Sequence, residues 1–387
     1  MRKEASVSTG TCTAFDVREL PHLFSRDPQR LALARNRQAA LFRHQRPDAW
    51  PIHFSAPLTE AQKAIPAPNY KEAFYNADLM TCSEVRAACG VANARSDAVP
   101  SIRANMGTGT LLACVGLEQE IFPDKMPWLQ CHLKKEQIAR LTPDEIRIQG
   151  TFERGLGYMR RFREIMGDTL PVYCMDTQGP LDLAHLMMGD DLFYVLYDDP
   201  PFVHHLLNLC VELGIKTHTW MKEVTGEPLD RQHHGNNLYA DNMGVRICED
   251  TTAILGPDCI RDFAMPYTQK LAQHFGGAWM HYCGRNDHVT EGVCQVPEIR
   301  GINFGFIPGH EHDHVFEEDM QRCLKYGKVY IGGWPKRPGE TGKDYLRRMH
   351  HWASQGCLLP HGNAALGGTD GLATVQEALD FWYALGA

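Results

Sequence analysis

Ala278-Trp279-Met280-His281-Tyr282-Cys283-Gly284 reads as a buried strand that ends in an imidazole and a thiol two residues apart. Side chains at i and i+2 of a strand share a face, so His281 and Cys283 can grip one ion while Tyr282 points away. Gly284 then lets the chain turn aside next to that ion. Nitrogen and sulfur donors in this arrangement suit zinc, which wants three or four ligands, so further donors must come from elsewhere in the chain. The plainer alternative is a core histidine bonded to a backbone carbonyl beside an inert buried cysteine.

Working outward, short apolar runs recur at Pro171–Asp176, Asn237–Asp241, Arg300–Gly305, Lys328–Gly332 and Gly356–Pro360. Longer amphipathic segments at Pro143–Ile165, Pro201–Val224, Pro257–His274, Phe316–Lys325 and Gly342–Ser354 separate them and read as helices. Strand-then-helix order implies parallel strands, and its persistence predicts an α/β chain closed into a (β/α)8 TIM barrel, with a doubly wound open sheet as the alternative. Residues 1–95 are rich in Pro, Arg and Ala, with helical stretches at Asp27–His44 and Asn69–Ala88 around a Pro-rich run. They are expected to form a mainly helical N-terminal extension packing on a barrel that spans 96–387. No glycine-rich dinucleotide or phosphate-loop fingerprint appears, and Gly305-Phe-Ile-Pro-Gly309 lacks both the spacing and the lysine.

The chain has 387 residues and a formal net charge of -8, with no basic run interleaved with aromatics, which argues against a nucleic-acid surface. The expected partners are a small molecule or another protein, and homo-oligomerisation stays open. No apolar run approaches the roughly 20 residues that span a bilayer, and the polar start Met1-Arg-Lys-Glu-Ala-Ser is unlike a signal-peptide core. A cytoplasmic protein is expected. The 13 cysteines are scattered without CxxC pairing, as reduced thiols would be, and Cys114, Cys174 and Cys210 sit among apolar neighbours.

In a barrel, chemistry gathers at the C-terminal ends of the strands, and that rule sorts the remaining candidates. Cys357 opens the Gly356–Pro360 strand and His361 follows its end. At roughly 3.3 Å per residue they lie about 13 Å apart, so only one can join His281 and Cys283. Strand position favours His361 and sulfur affinity favours Cys357. Asp241, Cys248 and Asp250 are expected on the mouth side: Asp250 as a ligand, a partner orienting a histidine, a general acid/base, or a loop cap, and Cys248 as a further thiolate. Asp176 ends its own strand and could touch substrate or cap the helix at Pro180. His310-Glu-His-Asp-His314 and His233-His234 read as weaker metal candidates in solvated loops, while His350 and His351 fall within a helix away from the mouth.

Four stretches, Asp176-Thr-Gln-Gly-Pro-Leu-Asp-Leu-Ala184, Leu196-Tyr-Asp-Asp-Pro-Pro-Phe-Val203, Phe263-Ala-Met-Pro-Tyr267 and above all His281-Tyr-Cys-Gly284, resemble the uroporphyrinogen decarboxylase superfamily. The resemblance runs from about Pro100 to the C-terminus. It implies a (β/α)8 barrel that is either a metal-free decarboxylase or a zinc-dependent methyltransferase exchanging methyl groups between a corrinoid protein and a small thiol, tetrahydrofolate, methyl ether or amine. In the methyltransferase branch a His-x-Cys pair and a later cysteine hold zinc; the pair maps onto His281 and Cys283, and the third ligand falls to Cys357, His361 or Cys248. The arginine-rich N-terminal signature of the decarboxylases is missing from the first hundred residues, which favours the methyltransferase. Without an Asp-x-His-x-x-Gly motif to ligate cobalt, the corrinoid (cobalamin) is expected on a partner protein. A carboxy-lyase and a non-catalytic barrel that only binds a corrinoid or small ligand are the second and third readings.

Overall fold

A computed structural model describes residues 15–305, 314–368 and 371–386. Its strands are β1 (Ile102–Arg103), β2 (Gln119–Glu120), β3 (Trp128–Leu129), β4 (Val172–Tyr173), β5 (Arg231–His234), β6 (Leu238–Asp241), β7 (Val245–Cys248), β8 (Ala278–Cys283), β9 (Ile299–Gly305), β10 (Val329–Gly332) and β11 (Leu358–Pro360). The last five form one parallel sheet in the order β11-β10-β9-β8-β7. Helices between successive strands, Met265–His274, Asp287–Gln295, Phe316–Tyr326 and Gly342–Ala353, supply the crossovers that parallel pairing needs. At one edge Gln178 bridges Cys248, and β4 continues to β1 in parallel; at the other, His53 bridges His361. The molecule is therefore a mixed α/β protein built on a five-stranded parallel sheet with parallel pairings carried past both edges.

Alternation along the strands sorts the core into two layers. Met280 and Tyr282 of β8, Ile302 of β9 and Leu358 of β11 pack against the helices. Trp279, Val329, Ile331 and Leu359 face the other way and meet Leu41, Phe42, Leu238 and Ala240. Leu41 and Phe42 end the helix Pro28–Phe42, so this N-terminal helix closes the inner face of the sheet.

Three of the expected elements differ in the structure. The run Asn237–Asp241 is not a parallel strand: β6 pairs antiparallel with β5 as a hairpin whose Leu238 and Ala240 fill the inner layer. The parallel strand is β7, a few residues later. Asp241 consequently stands before β7 begins, ion-paired with Arg43 at 2.7 Å, and not at the mouth. The helix expected from Pro143 starts at Gly150, because Thr142 and Glu145 cap a separate short turn in a reciprocal capping box. A π-type turn at Ile260–Ala264 interrupts the helix expected over 257–274, just ahead of Pro266, whose missing N–H cannot continue the ladder. No helix among the described residues is long and apolar enough to cross a membrane.

Asp97 ties these parts together. Its fully buried carboxylate accepts hydrogen bonds from Arg30, Arg37, the Tyr383 hydroxyl and the Ile52 N–H, joining the N-terminal helix, the 52–54 segment and the C-terminal helix. Breaking such a network by removing one partner leaves guanidinium charge uncompensated, at a cost of about 3–5 kcal/mol. Asp97→Ala should lower unfolding stability by that amount in urea titration, and Asp97→Asn by less.

Candidate metal centre

Parallel register brings the central side chains together. Cys248 of β7 is the partner of His281 on β8, and His281 is the partner of Asn303 on β9, so the three stand in one row across adjacent strands. All three lie at or near the C-terminal ends of their strands, and His281 shares its face with Trp279 of the inner layer.

Asn303 sets the state of the imidazole. Its Nδ2 donates to the Ile331 carbonyl, so its Oδ1 faces His281 Nδ1 at 2.6 Å and accepts a hydrogen bond from the Nδ1–H. The bare lone pair is then on Nε2, the tautomer a metal-ligating histidine needs. That Nε2 lies 3.4 Å from Cys283 Sγ and 3.8 Å from Asp250 Oδ1. Donor atoms of Cys248, Asp250 and His281 all fall within 4.8 Å of one another, which makes this group a candidate metal centre. Gly305 closes the other side: a Cβ there would sit 2.4 Å from Cys283 Sγ, so only glycine leaves room for the thiol.

The electrostatics suit a cation. Burial and the neighbouring Arg246 push the His281 pKa down, keeping the imidazole neutral. Burial, with Asp250 nearby, pushes the Cys283 thiol up to about 12, and burial drives Cys248 well above its ordinary range. Cys283, expected as a ligand with His281, is not part of that group, and left alone both thiols stay protonated; a divalent cation held by Cys248, Asp250 and His281 would stabilise the Cys248 thiolate and release its proton.

Asp250 is placed by residues that the sequence did not single out. Its N–H and that of Thr251 donate to the two oxygens of Asp182 at 2.9 and 2.8 Å. In return the Glu249 carboxylate accepts from the N–H groups of Leu181 and Asp182, at the start of the helix Pro180–Met188. Each carboxylate thus caps the other's helical turn. Burial raises both carboxyl pKa values, Asp182 to about 7 with the help of Asp250. Gly179 is the one sequence hint of this lock, since a Cβ there would meet Glu249 Oε1 at 2.3 Å. Asp250 itself is nearly half exposed and also accepts the Cys283 N–H at 2.7 Å.

Other expected site residues go elsewhere. Capping of the Pro180 helix falls to Glu249, and Asp176 instead sits buried between Arg246 at 2.7 Å and Arg103 at 3.4 Å. Although burial pushes its carboxyl up, the two guanidiniums hold it well below the ordinary range. Cys357 lies in the helix-facing core just ahead of its strand, and its thiol donates to the Trp352 carbonyl. His361 stacks on His53 with ring centroids 5.3 Å apart and does not enter the group. The sulfur that lies beside His281 in the candidate group is that of Cys248. His310 and His312 lie outside the described residues. His314 is an aromatic packing element, stacked on Phe304 with its Nε2 2.9 Å from the Gly284 carbonyl. His233 pairs with Glu227, and His234 packs edge-on against Trp279.

Compared with models of known protein families and with curated protein sequences, the chain gives no match.

Binding of cobalt(II), whose thiolate absorption reports sulfur ligation, should be lost in Cys248→Ser and His281→Ala and kept in Cys357→Ser. Asn303→Ala should weaken it about 10- to 100-fold by freeing the imidazole, the usual effect of removing an outer-shell partner. Affinity should rise with pH across the neutral range, because binding displaces thiol protons.

Proposed function

We propose that this chain is a zinc-dependent methyltransferase akin to the corrinoid-dependent branch of the uroporphyrinogen decarboxylase superfamily. It would move a methyl group between a corrinoid on a partner protein and a small thiol, tetrahydrofolate, methyl ether or amine. The convergence of Cys248, Asp250 and His281 donors within 4.8 Å carries this reading. The parallel sheet, with bridges at His53–His361 and Gln178–Cys248 beyond its edges, supports a closed (β/α)8 barrel with the site at its mouth.

One sulfur, one imidazole and one carboxylate, from Cys248, His281 and Asp250, are among zinc's preferred donors, with the half-exposed Asp250 the ligand most easily exchanged for substrate. Bound here, zinc would supply a Lewis acid that lowers the pKa of an acceptor thiol or polarises a methyl-bearing heteroatom. The chain's own residues do the rest. Asn303 fixes the His281 tautomer, Asp182 fixes the Asp250 backbone, and the half-exposed Asp250 carboxylate would take the proton of an incoming thiol. The buried Arg103–Asp176–Arg246 cluster keeps charge of both signs beneath the site and lowers the His281 pKa through Arg246.

Purified protein should carry stoichiometric zinc and demethylate methylcobalamin with a small thiol, followed by the cobalamin absorbance change. His281→Ala and Cys248→Ser should lower that rate at least 100-fold, the scale expected when such metal sites are lost. Protein without zinc whose turnover ignores both substitutions sinks the reading, and conversion of uroporphyrinogen would replace it with a lyase.

A further inference from the structure

At the opposite end of the sheet from the metal centre, where Gly356 leads into β11, an open cavity of about 440 Å³ lies between the ends of the helices Pro28–Phe42 and Gly342–Ala353. His44, Gln45, Arg46 and Trp50 line it from the first helix end, and Ser354 and Gln355 from the second. Arg46 and Trp50 also border a neighbouring cavity of about 170 Å³, which they share with Trp382. The Trp382 indole N–H donates to the Trp50 carbonyl at 2.8 Å and so anchors that wall.

Two residues of the turn point to a ligand. The helix Pro28–Phe42 closes in a Schellman arrangement, with the Gln45 N–H on the Ala40 carbonyl at 2.8 Å and the His44 N–H on the Leu41 carbonyl at 3.0 Å. That arrangement puts its central residue in the left-handed region, where glycine is the usual choice, and here the residue is His44 at φ 54°. What the side chain adds in return for the backbone strain is an exposed imidazole lining the cavity. Arg46, two residues on, is exposed as well. Its neighbours Arg37 and Arg43 are ion-paired with Asp48 and Asp241 at 2.8 and 2.7 Å, whereas the Arg46 guanidinium has no ion-pair partner among the described residues.

A guanidinium and an imidazole on one turn suit a phosphate, which arginine binds with a bidentate fork. Trp50 supplies a partly buried indole against which a flat base can stack. Gln45 and Gln355 bring amides able to hydrogen-bond the edge of such a base, and Gln355 is itself held by the His351 carbonyl at 3.0 Å. The volume takes a ligand of mononucleotide size.

We propose that this cavity binds a nucleoside monophosphate, the phosphate on Arg46 and His44 and the base against Trp50. Sited at the N-terminal ends of the strands, the ligand clamps two helix ends together and takes no part in chemistry at the metal centre. The proposal stands apart from the methyltransferase reading.

Titration calorimetry with AMP tests it, with adenosine and ribose 5-phosphate as the two halves of the ligand. AMP should bind roughly tenfold or more tightly than either half, because each half lacks the charged contact or the stacking one. Arg46→Ala should weaken AMP binding about tenfold or more, and Arg46→Lys less. His44→Gly relieves the left-handed backbone, so it should hold or raise the melting temperature while weakening AMP binding about three- to tenfold. Those opposite signs separate the loss of a ligand contact from a loss of fold. Cys248→Ser and chelator-treated protein should bind AMP as the wild type does. No binding at millimolar AMP, an affinity no better than that of ribose 5-phosphate, an affinity unmoved by Arg46→Ala, or binding lost in Cys248→Ser each overturns the proposal.

Discussion

The hydrogen-bonded register of β7, β8 and β9 is the constraint on which the site depends. Pairing Cys248 with His281 and His281 with Asn303 aligns a thiol, an imidazole and an orienting amide across three strands. Because side chains alternate with a period of two, a slip of one residue would turn any of them into the helix layer and bring an apolar neighbour in its place. The large residues on either face enforce the register. Met280 and Tyr282 fit only among the helices, and Trp279 only among Val329, Ile331 and Leu359. Apolar packing on both sides of the sheet thus fixes polar geometry at its end.

Charge is arranged around that row in two buried groups. Burial, helped by the Arg246 guanidinium that pairs with Asp176, keeps His281 neutral and its Nε2 available. The reciprocal Glu249–Asp182 lock spends two buried carboxylates on the N-termini of short helical turns, and one of those turns carries Asp250. A loop would leave Asp250 free to wander; the lock makes it part of a preorganised group. Neither group could stand alone in a dry interior, since an isolated buried charge is far more expensive than a paired one.

The N-terminal region is more deeply involved than an appended extension would be. Leu41 and Phe42 complete the inner layer, and the His53 backbone pairs with Pro360 and Gly362 at the edge of the sheet. Asp97 binds this region to the C-terminal helix through Tyr383. The stack of His53 on His361 follows from the same pairing.

Strand-then-helix order was legible in the sequence because apolar periodicity and proline-started helices are local properties; β8, β9, β10 and the long helix Pro200–Thr225 fall where the pattern puts them. The His281–Cys283 pair and Asp250 were legible for the same reason, being residue types placed at a strand end or just beyond one. Asn237–Asp241 misled because a hairpin strand and a parallel strand alternate alike, and only the partner across the hydrogen bonds distinguishes them. Cys248 stood out as merely a spare thiol, and Asn303 and Glu249 not at all. Their roles come from neighbours 22 to 68 residues distant, Asn303 with His281 and Glu249 with Leu181. By itself the sequence determined that strands and helices alternate and that an imidazole and a thiol end one strand. Only the tertiary structure brings Cys248 beside His281, because that depends on register and on which face each strand turns inward, quantities set by packing between segments remote in the chain.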